Sequence, residues 1–309
     1  LYKIISKYFS IKELVCDYKM KCSIFVPGHI TGFFQIIDHP NPLYKGSRGA
    51  GVVLNKGIIT ELKIEDGAED VKVKINGKSD PKNASITYKT IDLIKNRFKL
   101  EDKKINIKHE FQVPISTGFG TSAACALGTS LAMTKTLNLP LTFNKAASFA
   151  HLAEIEMKSG LGDVMAEITG GIVLRLIEGS PGIGMADKII EKNSEVFIIS
   201  KTLGEIETSK IIEDPYYKKR INQTGRKLLD ELIKMPDLKT FIKLSRKFAE
   251  ETSLMNSELH ELVEIFDEET MGASMAMLGN TVFALSKTPD ISVEDVLISK
   301  IDNLGCKFI

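Results

Sequence analysis

Pro114-Ile115-Ser116-Thr117-Gly118-Phe119-Gly120-Thr121-Ser122-Ala123-Ala124 is the stretch around which this 309-residue chain is organised. Its two glycines let backbone approach a ligand with no Cβ in the way, and small residues then open an Ala- and Leu-rich helix predicted over about 122–137. Unpaired N–H groups at such a helix start attract anions, so the segment reads as a phosphate cradle. The same residues would also serve as a glycine turn with a hydroxyl N-cap. Gly77-Lys78-Ser79 only looks like the end of a Walker loop, because the glycine needed five residues earlier is Lys72.

A cradle alone is not a catalyst. A helix terminus contributes roughly 0.3–1 kcal/mol to anion binding, whereas enzymes typically remove about 8 kcal/mol or more from a barrier. Phosphoryl transfer also needs charge stabilisation and a placed acid or base. Downstream stand His151-Leu152-Ala153-Glu154-Ile155-Glu156 and Gly160-Leu161-Gly162-Asp163-Val164. Glu154 and Glu156 point about 200° apart on a helix, so one of them faces any given site. Glu154 is the better candidate, since Ala150 and Ala153 leave room beside it, although a lone helical Glu also suits a solvated face. Asp163 sits on a glycine turn before apolar Val164, as a site carboxylate or as an N-cap for a helix over about 164–169. A third glycine-rich element, Met271-Gly272-Ala273-Ser274-Met275-Ala276-Met277-Leu278-Gly279, suits a loop and helix start near phosphates or a close helix–strand contact.

Outward from these motifs the pattern is α+β in both halves. Strands are predicted from Cys22 to Val26, through Val52–Ile64 with a tight turn at Asn55-Lys56-Gly57, at Val71–Ile75 before Asn76-Gly77, and over about 104–112. Helices are predicted over about 83–98 and 142–158, followed by a strand at Ile172–Leu176 and the loop Gly179-Ser180-Pro181-Gly182-Ile183-Gly184. Beyond it come a strand over 195–201, helices over about 215–234, 237–252 and 256–268, a strand at 280–286, a helix over 293–302 and a final strand. Two domains are expected, 20–178 and 179–309. Residues 1–19 read as an extension ahead of Met20, a translation-start artefact by that reading.

With 41 Lys+Arg against 40 Asp+Glu, the net charge of +1 argues against a nucleic-acid binder that works by a broad basic surface. The 43% hydrophobic content excludes disorder as the dominant state. Cys16, Cys22, Cys125 and Cys306 show no zinc spacing and read as free thiols of a reducing compartment. No apolar run is long enough to span a bilayer, and Lys3, Lys7 and Lys12 break any secretion signal, so a soluble cytoplasmic protein with no membrane partner is expected.

Together with Val26-Pro27-Gly28-His29-Ile30-Thr31-Gly32, these elements resemble the GHMP kinase superfamily. The likeness rests on Pro27-Gly28, on the phosphate loop at Pro114, Gly118, Gly120, Ser122, Ala123 and Ala124 with Phe119 and Thr121 as departures, and more loosely on Gly272, Ala273, Ser274 and Gly279. Gly46-Ser47-Arg48-Gly49-Ala50-Gly51 and Gly160–Val164 are similar to the archaeal pantoate kinase branch. The resemblance implies a ribosomal-protein-like N-terminal domain, a ferredoxin-like C-terminal domain, an active site between them, and a tendency to dimerise. It implies ATP-dependent phosphorylation of the 4-hydroxyl of (R)-pantoate on a route to coenzyme A. Ser122 and Glu154 would then hold Mg²⁺, residues 118–124 would cradle the ATP phosphates, and Asp163 would act on the acceptor hydroxyl as base or orienting group. Arg48 is the expected clamp for the pantoate carboxylate, or else a surface cation. His29 and Thr31 are secondary substrate contacts; His29 stands where mevalonate-type kinases carry Lys, so that lysine's role does not transfer. Phe33 and Phe34 fit the substrate methyls or the core. The alternatives are a kinase of another small alcohol, such as homoserine or a mevalonate derivative, and a non-catalytic nucleotide- or RNA-binding protein.

Overall fold

β1 (Met20–Ile37) and β2 (Gly46–Asp66) form one long antiparallel ribbon. The computed structural model describes residues 20–190, 196–204 and 214–309, so the extension expected at 1–19 lies outside the described residues. β2 does not turn at Asn55-Lys56-Gly57: register slips between Pro27 and His29, and the strand bulges there and continues. β3 (Asp70–Ile75), α1 (Pro81–Phe98) and β4 (Lys103–Phe111) make a crossover unit, the one parallel pair in the sheet, which begins after the turn at Asn76-Gly77, where both φ angles are positive.

α2 (Thr121–Thr136) and α3 (Phe143–Met157) follow, then α4 (Asp163–Thr169), β5 (Ile172–Ile177) and β6 (Met185–Ile189). α2 is buried almost all round, as its Ala-rich composition requires, and at Gly128 it approaches so close to Thr60 that a Cβ would overlap that side chain. β4 pairs with the second half of β2 and β5 with its first half, Gly49 opposite Arg175.

The second sheet has the order β10-β7-β9-β8, with β7 (Phe197–Gly204), β8 (Ala273–Met275), β9 (Asn280–Ser286) and β10 (Leu297–Lys300). The helix expected over 293–302 is therefore irregular chain leading into β10, which pairs with β7; strand pairing overrides the helical spacing of Val293, Val296, Leu297 and Ile301. Gly272–Gly279 likewise holds no helix start but β8 and a tight loop. α5 (Pro215–Lys234), α6 (Leu238–Thr252) and α7 (Ser257–Glu269) are capped by the side chains of Asp214, Asp237 and Asn256.

β6 and the C-terminal β11 (Lys307–Phe308) both add to the first sheet, whereas the expected boundary at 178/179 put them in the second unit. The reason is that residues 301–306 run back across β2: Asp302 N–H donates to Val53 O, and Gly171 N–H donates to Asp302 O.

Candidate active site

The phosphate loop is held at both ends. His29 N–H donates to Phe119 O at 3.0 Å, which ties the loop to β1. Thr281 on β9 donates its hydroxyl to Thr117 O at 2.7 Å, which ties it to the second sheet. Gly118 has φ +99°, and a Cβ there would stand 3.0 Å from both Ala276 Cβ and Gly279 Cα, so only glycine lets the two loops meet. Gly120, at φ +67°, is the N-cap of α2, and no side chain caps that end. The first N–H groups of α2 therefore face a cavity of about 640 Å³ lined by Gly118, Phe119, Gly120, Thr121 and Ser122. Ala123 and Ala124 are buried in the core behind it, and Pro114 accepts the Thr117 hydroxyl at the loop's start.

Glu154 and Ser122 meet through a residue that the motif reading missed. The Ser122 hydroxyl donates to Ser159 Oγ at 3.0 Å, and Ser159 donates to Glu154 Oε1 at 3.2 Å. Glu154 is buried, and burial together with the charge of Asp163 pushes its carboxyl up to about 8. Glu156 instead pairs with Lys89 at the surface. A buried carboxylate beside two hydroxyls supplies hard oxygen donors, and among the described residues no cluster of three or more His, Cys, Asp or Glu could hold a metal by itself. That donor set fits Mg²⁺, which keeps water and substrate phosphates as its other ligands.

The second centre lies at the start of α4. His29 Nδ1 is 2.7 Å from Asp163 Oδ1, and Arg175 Nη1 is 3.4 Å from His29 Nε2. A guanidinium only donates, so Nε2 accepts and the ring proton sits on Nδ1, directed at Asp163. Burial keeps His29 neutral by lowering its pKa. Burial raises the Asp163 carboxyl, but the His29 hydrogen bond and the Arg175 charge outweigh it, and the group stays below its ordinary value. Asp163 is thus an oriented carboxylate, a quarter exposed to the cavity. His29 reaches it because β2 has Gly51 alongside: a Cβ there would overlap the imidazole.

Arg48 does not line the cavity. Successive strand residues face opposite sides, and pairing puts Ser47 on the cavity side with Arg48 turned away opposite Gln35. The guanidinium in the site is Arg175, nearly fully buried opposite Gly49, with an Nε that has no hydrogen-bond partner among the described residues. Thr31 lines the cavity and its carbonyl accepts the N–H of Met277. Gly272, Ala273 and Ser274 lie back from the cavity in and before β8, and the residues of that element that line it are Met277 and Leu278. His151 does not enter the cavity either; its Nε2–H is shared between the carbonyls of Pro42 and Lys45, and it anchors the β1–β2 connection. Glu167, one turn after Asp163 on α4, is buried under Gly120, and neither carboxylate oxygen has a hydrogen-bond partner among the described residues.

Residues 85–171 match the family described as GHMP kinases N terminal domain. The chain is 36% identical to the pantoate kinase of Thermococcus kodakarensis over 89% of its own length and 91% of that protein's. It is also 36% identical to the pantoate kinase of Methanocaldococcus jannaschii, over 89% and 95%. A solved phosphotransferase related to the CoA biosynthesis pathway superposes with a TM-score of 0.82 at 33% identity, covering 94% of this chain and 98% of that one. A mevalonate kinase from Methanococcus jannaschii, at 18% identity and a TM-score of 0.61, shares the fold. With a phosphate cradle, a carboxylate centre and relatives matched over nearly their whole length, the chain belongs to the GHMP kinases, in the family of the pantoate kinases.

Proposed function

We propose that the chain transfers the γ-phosphoryl group of ATP to the 4-hydroxyl of (R)-pantoate. The observation that carries this reading is the Asp163–His29–Arg175 cluster, which presents a fixed carboxylate and a buried guanidinium to the cavity that also receives the cradle. An acceptor with an alcohol at one end and a carboxylate at the other matches that pair.

In the reaction a bond forms between O4 of pantoate and the γ-phosphorus, the bond from that phosphorus to the bridging oxygen breaks, and the hydroxyl proton leaves. Asp163 accepts the hydrogen bond of the hydroxyl, aims its oxygen and takes the proton late, since an ordinary carboxylate is a weak base towards an alcohol. His29 keeps Asp163 in one orientation by its Nδ1–H. Arg175 holds the substrate carboxylate through nitrogens that His29 leaves free. N–H groups of residues 118–122 bind the phosphates. Ser122 and Glu154 would hold Mg²⁺, which would supply positive charge to offset that of the phosphates. Asn83, Ile86, Phe111 and Ile115, which also line the cavity, offer partly apolar surface to the nucleoside.

We place the enzyme in the cytoplasm on its free thiols Cys22, Cys125 and Cys306; among the described residues no helix is long and apolar enough to cross a membrane. A homodimer is proposed on the edge of β6 that no described strand pairs with, flanked by exposed Ile177, Met185 and Ile190, and light scattering in solution tests it. An ADP-release assay across pantoate, homoserine, mevalonate and shikimate tests the main reading. Turnover with pantoate is expected to exceed the others by at least about a hundredfold in kcat/KM, and no turnover with pantoate removes the assignment.

A further inference from the structure

The proposed acceptor carries two methyl groups on the carbon beside its reacting CH₂–OH, and none of the groups assigned to it so far is apolar. Leu278 lines the cavity that the proposed acceptor would enter. The residue before it, Met277, donates its N–H to Thr31 O at 2.9 Å, and the residue after it, Gly279, lies against Gly118 of the phosphate loop. Leu278 is thereby fixed between the strand that carries His29 and the cradle, half-buried and lining the cavity. Its φ is +62°, a conformation that suits Gly or Asn and disfavours a branched side chain. A leucine kept in such a conformation at a cavity wall points to a use for its side chain. An isobutyl group gains nothing from polyphosphate and suits carbon.

Met277 and Phe34 also line the cavity, and Phe34 lies opposite Gly49, which lies opposite Arg175. The row Phe34–Gly49–Arg175 thus sets an apolar end and a cationic end on one sheet face, with a glycine floor between them.

We propose that Leu278, backed by Met277 and Phe34, is the specificity-determining residue that reads the geminal methyl groups of the acceptor. This rests on the pantoate reading. The wall rejects acceptors of equal polarity but smaller girth, because without methyls the space between Leu278 and Phe34 stays unfilled.

The test compares kcat/KM for (R)-pantoate and for (R)-2,4-dihydroxybutyrate, which lacks both methyls, in the wild type, Leu278→Gly and Leu278→Asn. Both substitutions accept the positive φ, and the melting temperature of each variant is measured alongside. Wild type is expected to prefer pantoate by about a hundredfold, and both variants to reduce that ratio by at least about tenfold, through loss of pantoate activity with the KM for ATP unchanged. An equal fall with both acceptors, or an unchanged ratio, overturns the wall while leaving the pantoate reading intact. Absence of pantoate turnover in the wild type overturns the reading and the wall with it.

Discussion

Two arginines on neighbouring strands separate by strand geometry alone. Arg48 and Arg175 both flank Gly49, one as its chain neighbour and one as its partner across the β2–β5 pair. A chain neighbour faces the opposite side of the sheet and a directly paired residue the same side, so only Arg175 shares a face with Ser47 and the cavity. A charged hydrogen bond contributes about 1.5–3 kcal/mol, which is roughly 10- to 100-fold in binding. Arg175→Ala is therefore expected to raise the KM for pantoate by that factor, while Arg48→Ala stays within about twofold; steady-state kinetics with varied pantoate decide it. Asp163→Asn, at the reacting atoms, is expected to lower kcat by about 10²–10⁴ with the KM for ATP little changed. Equal pantoate KM in wild type and Arg175→Ala would return the carboxylate clamp to an unassigned group.

At the scale of the element, α4 stacks two carboxylates one turn apart, Asp163 at its first residue and Glu167 four residues on. They titrate in opposite directions. Burial, with the charges of Asp163 and Glu154 adding to it, holds Glu167 well above the ordinary carboxylate range, and its unpartnered oxygens agree with a neutral acid. A folded-state pKa above the unfolded value of about 4.3 means that the folded chain keeps a proton which the unfolded chain releases, so stability falls as pH rises above that value, by up to about 1.4 kcal/mol per unit. Glu167→Gln removes this slope. Its melting temperature is expected to exceed that of wild type by a margin that grows from pH 5 to pH 8, and a margin independent of pH would show that Glu167 is ionised in the fold. Such pairs explain what could be read in advance. The cradle, α2 and Asp163 were legible because glycine spacing, small residues and an apolar run are local signals. Arg175 was not, because inside Ile172–Ile177 an arginine reads as a solvent face until the register with Gly49 is known. Asn55-Lys56-Gly57 misled for a related reason: a bulge and a hairpin turn use the same residues, and only the partner strand tells them apart. The site was thus legible where one segment makes it and hidden where two strands do.

The whole molecule interlocks more than its two sheets suggest. β11 covers the edge of β1, Asp302 bridges Val53 and Gly171, and Phe33 and Phe34 of β1 pack on Phe248 of α6. The cradle itself hangs from both sheets, through Phe119 to β1 and through Thr117 to β9. Cutting the chain at 178/179 would strip the first sheet of β6, β11 and the cover that α5 and α6 lay on β1. Exposing Phe33 and Phe34 alone costs about 1.5–3 kcal/mol each, roughly 3–6 kcal/mol together, against a typical total stability of about 5–15 kcal/mol. The fragment 20–178 is therefore expected to lack fixed tertiary structure when expressed alone. Co-expressed with 179–309, it is expected to reassemble and to recover ATP binding, because the cradle then regains its second support. Methyl NMR dispersion and thermal melts of the fragment and of the reassembled pair measure this. A sharp cooperative melt for 20–178 by itself would mean that the first sheet holds its own core, and that β11 and α6 serve the site without sustaining the fold.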